Sequence, residues 1–297
     1  MRCGEQDFLN LIRVQGGAEP KLLSARTEPV KEGLYGDRRE YVVPNIVHFI
    51  WFHHPLEFKF RTYLTYLSVY KFIKPHYILL HGDVTPTGYW WNRTVADVPN
   101  IYHVHVDDKK SMFGQNFAYP SQHSDVLRLY VILDYGGIYL DHDAIVVKSF
   151  NPLRKFDLTI GRESDYSLNG GVMLGRQGAP FLQLWLETYR SPNLNLKKWG
   201  YDSVRMAHHI WEYFPHLVHV EETSLAHPNY LDPQNYYRDP YDWSGNYAVH
   251  LMREQIAKIP NDPKSLKGYD CLLGQVMRLV YFGDQKLLSN VTWKGMK

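Results

Sequence analysis

Two carboxylates stand one residue apart at Asp141 and Asp143, with His142 between them. In a turn, such a pair can converge on one hard divalent cation, because Mg²⁺ and Mn²⁺ prefer carboxylate, water and phosphate oxygens. A cation held there would neutralise charge building on a departing diphosphate without any proton transfer. Upstream, Asp125 and Arg128 are spaced i, i+3, which on a helix sends both side chains out from one face. They can cradle a hydroxyl-rich or phosphorylated ligand, or form a solvated ion pair, and the spacing leaves both readings open. An Asp-x-Asp pair alone is a weak signal, so the weight falls on the elements that position it.

Those elements form a pattern. The pair closes a short apolar strand, Ile138–Leu140, which follows the Gly136-Gly137 turn, which follows a helix over Ser121–Leu133. Val126, Leu129, Tyr130 and Leu133 give that helix its i, i+3, i+4, i+7 stripe, and the glycines end it. Ala144–Val147 is a second short strand beyond the pair. Upstream, the pattern predicts a buried strand over Ile46–Phe52, a helix over Leu56–Ile73 ended by Pro75, and strands at Tyr77–Leu80 and Ile101–Val106. Downstream it predicts strands at Leu158–Gly161 and Gly171–Leu174 and helices over Ala179–Tyr189 and Asp202–Tyr213. A strand at Tyr247–Leu251 and a last helix over Tyr269–Val280 complete the reading. Strands alternating with helices predict an α/β sheet covered on both faces, with ligands bound beyond the carboxyl ends of its strands. Residues 1–40 read as a loosely ordered lead-in, with a short helix near Phe8–Val14, and 41–297 as one catalytic domain.

Composition narrows the class. The 33 basic and 31 acidic residues leave a net charge of +2, which excludes a dedicated nucleic-acid binder. A hydrophobic fraction of 44% suffices for a sizeable core. The two cysteines, Cys3 and Cys271, exclude a disulfide scaffold and a cysteine metal site, although one bridge between them is conceivable. Asn92 and Asn290 each carry Thr two positions on, a glycosylation triplet that bears weakly on compartment. No apolar run reaches the roughly 18 residues of a membrane span, and the first residues lack the apolar core of a signal peptide.

Ser124-Asp125-x-x-Arg128 followed by Gly136-Gly137-Ile138-Tyr139-Leu140-Asp141-x-Asp143 resembles the sugar-binding region of glycosyltransferase family 32 and, more distantly, the clostridial glucosylating toxins. Val47-His48-Phe49-Ile50-Trp51 is similar to the first strand of these enzymes, Asn169-Gly170-Gly171-Val172-Met173 to their loop beside the donor sugar, and Tyr247-Ala248-Val249-His250 to a C-terminal strand supplying a metal-site His. The resemblance implies a GT-A-type, Rossmann-like fold with a mixed central sheet and helices on both faces. It implies a retaining hexosyltransferase that moves a hexose or N-acetylhexosamine from a nucleotide-sugar, UDP-sugar favoured over GDP-mannose, to a glycan, glycolipid or glycoprotein acceptor. Ile50, Trp51, Ser124, Asp125, Arg128, Gly137, Tyr139, Asp141, Asn169 and Gly170 would bind the donor, with Trp51 stacking on the base. Asp141, through a water, Asp143 and His250 would hold Mn²⁺, or else Mg²⁺. The resemblance points to a Golgi lumen; the missing anchor points to the cytoplasm. The sequence departs from the family at Phe52-His53-His54, where Gly is common after Ile-Trp, at His142, and at His250-Leu251-Met252, where relatives carry His-x-Trp.

Two other classes use overlapping features. An aspartyl-phosphate phosphohydrolase would make Asp141 a nucleophile, but places its motif near the chain start with Thr or Val soon after. A catalytically inactive sugar-binding relative would lack some of the acids and the Arg present here. His208-His209 and His103 with His105 show no Glu or Asp at zinc-site spacing and read as structural or surface residues.

Overall fold

A computed structural model describes residues 21–22, 40–52, 57–191, 200–238, 240–251 and 259–284. The expected helix near Phe8–Val14, Cys3, the Asn290 triplet, His53, His54 and Met252 lie outside them. The strands are β1 (Lys21–Leu22), β2 (Ile46–Ile50), β3 (Tyr77–Gly82), β4 (Ile101–His105), β5 (Ser111–Met112), β6 (Gln115–Asn116), β7 (Gly137–Leu140), β8 (Ala144–Val146), β9 (Leu158–Ser164), β10 (Ser167–Gly175), β11 (His219–Glu221) and β12 (Ala248–His250). The longer helices are α1 (Phe60–Ser68), α2 (Tyr89–Asp97), α3 (Ser121–Tyr135), α4 (Pro180–Thr188), α5 (Met206–Tyr213) and α6 (Leu272–Phe282).

Among the described residues, eight strands form one sheet in the order β1-β4-β3-β2-β7-β10-β9-β11. Strands β4, β3, β2 and β7 run parallel, β10 is antiparallel to β7 and β9, and β11 runs parallel to β9. The sheet is therefore mixed, as expected. Its central strands read as unbroken apolar runs because both faces are covered. All five residues of β2 and all four of β7 are buried. The pleat sorts their side chains. Ile138, Leu140, Val172 and Leu174 join Leu64, Leu67, Leu273 and Val276 of α1 and α6 on one face. Tyr139 and Met173 join Val126, Leu129, Ile132 and Trp185 of α3 and α4 on the other.

The turn between α3 and β7 shows why two glycines stand there. Gly136 (φ +66) caps the helix, its N–H bonding Ile132 O at 2.8 Å. Gly137 (φ +121) has room for no Cβ: one would lie 2.7 Å from Ile46 O and 2.8 Å from His48 Nε2. His48 Nε2 lies 2.8 Å from Gly136 O, and His48 Nδ1 lies 3.0 Å from His81 Nε2. A carbonyl accepts only, so Nε2 carries the hydrogen and His81 donates to Nδ1. Two neutral imidazoles thus tie β3, β2 and the α3–β7 turn together within the core.

Some expectations are corrected. The helix expected over Leu56–Ile73 begins, within the described residues, at Phe60 and unwinds into a π-turn over Val69–Ile73, closed by Lys74 in the left-handed region. The helix expected over Asp202–Tyr213 likewise divides into a π-turn over Tyr201–Arg205 and α5. The strand expected over Gly171–Leu174 is present, and Asn169-Gly170, which the resemblance places in a loop, belong to it too: all lie inside the fully buried nine-residue β10, with a register shift against β9 between Asn169 and Met173. Ala144–Val147 does yield a strand, but β8 leaves the main sheet and pairs antiparallel with β12. Strand β11 and helix α2 carried no signal in the sequence pattern.

Candidate active site

The parallel strands β2 and β7 end side by side, and the Asp141-His142-Asp143 turn emerges from the carboxyl end of β7. Its backbone is held from three directions. Asp141 N–H donates to Gly171 O (2.8 Å), Ala144 N–H to Asp141 O (3.1 Å) and Leu251 N–H to Asp143 O (3.0 Å). Thr65 Oγ1 on α1 donates to His142 O at 3.0 Å. His142 turns inward. Its Nε2 donates to Ile50 O at 2.8 Å, its ring stacks near Phe49 and Tyr66, and it meets Trp51 edge-on at 5.2 Å. His142 Nδ1 is buried with no hydrogen-bond partner among the described residues, and burial lowers the imidazole's pKa. The ring therefore acts as a neutral wedge that fixes the end of β2 to the acidic turn.

Strand β12 brings a third polar group. His250 Nε2 stands 3.0 Å from Asp143 Oδ1 and 3.6 Å from Asp141 Oδ2, while Nδ1 stands 3.2 Å from Asn169 Oδ1. One ligand atom from each of Asp141, Asp143 and His250 falls within 4.8 Å of the others. Burial works against a charge on His250, yet Asp143 and, behind it, Asp141 and Glu163 lift its pKa to about 9. Burial likewise opposes ionisation of Asp143, but His250 and Arg61 hold its carboxyl below the usual range. Space for the cluster comes from Gly171. A Cβ there would lie 2.4 Å from His250 Cε1, 2.6 Å from Asp141 Oδ2 and 3.0 Å from Asn169 Oδ1.

Helix α3 contributes the second half of the site. Arg128 Nη2 bonds Asp125 Oδ1, Nε donates to Ser124 O (3.3 Å), and Nη1 approaches Asp141 Oδ1 to 3.9 Å. The guanidinium lies 5.1 Å from the centre of the Tyr139 ring, whose hydroxyl donates to Asp141 Oδ1 at 2.6 Å. The Arg128 and Asp125 side chains are only 9% and 13% exposed, so the solvated-ion-pair reading does not hold. Burial raises the Asp125 carboxyl's pKa although Arg128 and a hydrogen bond from Ser203 pull it down.

The structure thus gathers Ile50, Trp51, Ser124, Asp125, Arg128, Tyr139, Asp141, Asp143, Asn169, Gly170 and His250 around the ends of β2, β7 and β10. Gly170 packs on Arg128, whose Nη1 would lie 3.1 Å from a Cβ there. Trp51 is partly exposed, set between Phe58 and His142. Gly137 does not join them. It starts β7, one strand length away from Asp141, and its part is in the turn. Arg61, Glu163, Ser203 and the wedge role of His142 escaped the sequence reading. For Arg61 the available signal was a lone cation in the apolar run that became α1. His208 and His209 also need correction, because Glu212 completes a helical i, i+3/i+4 set. Its Oε2 lies 3.1 Å from His209 Nδ1 and 3.9 Å from His208 Nδ1. His105 likewise has an acid nearby, its Nε2 lying 3.1 Å from Asp107 Oδ1.

Residues 76–159 match the family model described as a glycosyltransferase sugar-binding region containing a DXD motif. Glucan organizing enzyme 1 of Cryptococcus neoformans var. grubii is 26% identical over 183 residues, covering 56% of this chain and 49% of that protein. Mouse lactosylceramide 4-alpha-galactosyltransferase is 27% identical over 139 residues, covering 46% of this chain and 38% of that protein. The matched stretches therefore span about half of these relatives or less. Among solved structures, the PaToxG glycosyltransferase aligns with a TM-score of 0.41 and 16% identity, covering 71% of this chain and 75% of that one. Among the described residues, no helix is long and apolar enough to cross a membrane.

Proposed function

We propose that this chain, which carries the DXD-containing sugar-binding region of that glycosyltransferase family at residues 76–159, transfers a hexose or N-acetylhexosamine from a nucleotide-sugar to a glycan, glycolipid or glycoprotein acceptor with retention of configuration. The observation that carries the reading is the convergence of Asp141, Asp143 and His250 beyond the ends of parallel strands. Ligands bind at that edge of an α/β sheet.

The residues fit a divalent cation. Two carboxylates and one imidazole face one point, and a glycine where any side chain would intrude leaves the point open. Asp143 and His250 would ligate the ion, with Asp141 acting directly or through a water. The imidazole favours Mn²⁺ over Mg²⁺. Such an ion, when bound, would neutralise charge on the departing diphosphate. The chain's own residues do the rest. Arg61, beside Asp143, adds a positive charge on the α1 side. Arg128 and Asp125 form a rigid, desolvated donor–acceptor pair suited to the hydroxyls of a sugar or ribose. Tyr139 holds the Asp141 carboxylate in place, and Trp51 offers a partly open ring for the base, a UDP-sugar being favoured over GDP-mannose.

A donor panel with and without EDTA tests the reading. Free UDP or GDP should appear only with Mn²⁺ or Mg²⁺ restored, and Asp143→Asn should abolish it. Full turnover in EDTA sinks the metal-assisted reading, and release of inorganic phosphate would favour a phosphohydrolase. Retention is read separately by NMR of the early product, where an inverted linkage refutes it.

A further inference from the structure

Behind His250 lies a second layer of polar groups whose donor and acceptor roles are fixed by their surroundings. Asn169 Nδ2 donates to Glu163 Oε1 at 2.9 Å, and Asn169 Oδ1 accepts from Gly171 N–H at 2.8 Å. A carboxylate oxygen accepts and a backbone N–H donates, so the amide can face only one way. The same Oδ1 lies 3.2 Å from His250 Nδ1. An amide oxygen cannot donate, so His250 Nδ1 must carry hydrogen, and Nε2 is the nitrogen turned to Asp143 and Asp141. Glu163 is itself fully engaged. Its Oε2 accepts from Ser167 Oγ at 2.9 Å, its backbone carbonyl accepts from Asn229 Nδ2, and the residue is 8% exposed. Glu163, six residues before Asn169, is the residue of β9 left without a cross-strand partner where the register shifts between the Ser167–Ser164 and Leu168–Arg162 pairs.

We infer that Glu163 is a positioning residue for the metal site: through Asn169 it sets which imidazole nitrogen of His250 faces the cation. This rests on the metal-site reading given above. Groups that orient a metal-bound histidine through its far nitrogen commonly matter as much as modest ligands do. Without the Glu163 carboxylate, the Asn169 amide loses one of the two partners that hold its orientation. A turned amide would present Nδ2 to His250 Nδ1 and favour the tautomer with hydrogen on Nε2.

The test is Mn²⁺ affinity without donor, read from the EPR signal of free Mn²⁺, with thermal unfolding followed alongside. Glu163→Ala should weaken Mn²⁺ binding by roughly tenfold to a hundredfold. Glu163→Gln should restore it, because its Oε1 still accepts from Asn169 while Ser167 Oγ turns to accept from its amide. Asn169→Ala breaks the next link and should reproduce the Ala loss; it carries the test if Glu163→Ala does not fold. Folded Glu163→Ala with wild-type affinity overturns the inference, as does a melting temperature that falls with affinity untouched. Wild type that binds no better than Asp143→Asn would instead remove the metal site itself.

Discussion

His250 Nε2 stands 3.0 Å from Asp143 Oδ1 although 107 positions separate the two residues. The contact follows from register: β12 pairs with β8 so that His250 lies opposite Ala144, the residue after Asp143. The two form a partly buried ion pair, with the imidazole pKa lifted to about 9 and the carboxyl depressed. Both shifts favour the charged pair, which leaves a proton on the imidazole nitrogen where a metal would bind.

On the proposed metal reading, binding of the ion releases that proton. Between pH 6 and about 9, Mn²⁺ affinity should rise with pH by up to about tenfold per unit, while Asp143 stays ionised throughout. Calorimetry in buffers of different ionisation enthalpy should read close to one proton released per ion near neutrality. A profile flat across that window would contradict the role of His250, and His250→Ala should flatten it.

Gly171→Ala should weaken metal binding while leaving most of the fold in place. The new Cβ would sit 2.4 Å from His250 Cε1 and 2.6 Å from Asp141 Oδ2, so both side chains must move. A loss of Mn²⁺ affinity on the order of tenfold or more is expected, measured with circular dichroism as the control for folding. Unchanged affinity would mean that the three residues do not act from the positions described.

Trp51→Ala should weaken donor binding by about 1–3 kcal/mol through lost stacking. Donor affinity and melting temperature are measured together. A large fall in melting temperature with affinity unchanged would make Trp51 a packing residue against Phe58 and His142.

The buried imidazole pair should make the fold acid-labile. Burial holds the His48 pKa at about 4, and His81 lies well below its ordinary value through burial and the neighbouring imidazoles. The unfolded chain takes up these protons near pH 6.5 and the folded chain does not. Stability is intact above that value and falls as pH drops from about 6.5 towards 4, by about 3 kcal/mol from His48 alone. Urea unfolding at pH 7 and pH 5 measures this. A His48→Gln variant should lose less over the interval, and equal losses would remove the assignment.

The parts of the site carried by local pattern were legible in the sequence. The α3 stripe, the double glycine and the acidic pair lie within a short stretch, and each is constrained by one helical face or one turn. The strand pattern was legible only from Gly171, and the resemblance set Asn169-Gly170 in a loop, because glycines weaken a strand signal. Here they belong to a strand whose missing side chains make room for Arg128 and His250. Arg61 stood out only as a cation in an apolar run, because the Asp143 charge it faces is 82 positions away; Glu163 sits among charged neighbours in a polar stretch, and nothing in that local pattern marks it as the partner of Asn169. Glu212 was legible, at helical spacing from His208 and His209.

The β8–β12 ladder would make the proposed ligand set a late product of folding. A growing polypeptide that has released Asp143 can already align β2, β3 and β7, but it has no imidazole to offer until residue 250 has emerged. Closing so long a loop costs only slightly more entropy than closing a shorter one, so the distance sets the order of events more than their free energy. A cation that needs both ends of the loop can bind only the completed fold, and by mass action its concentration then bears on how firmly the C-terminal part stays docked.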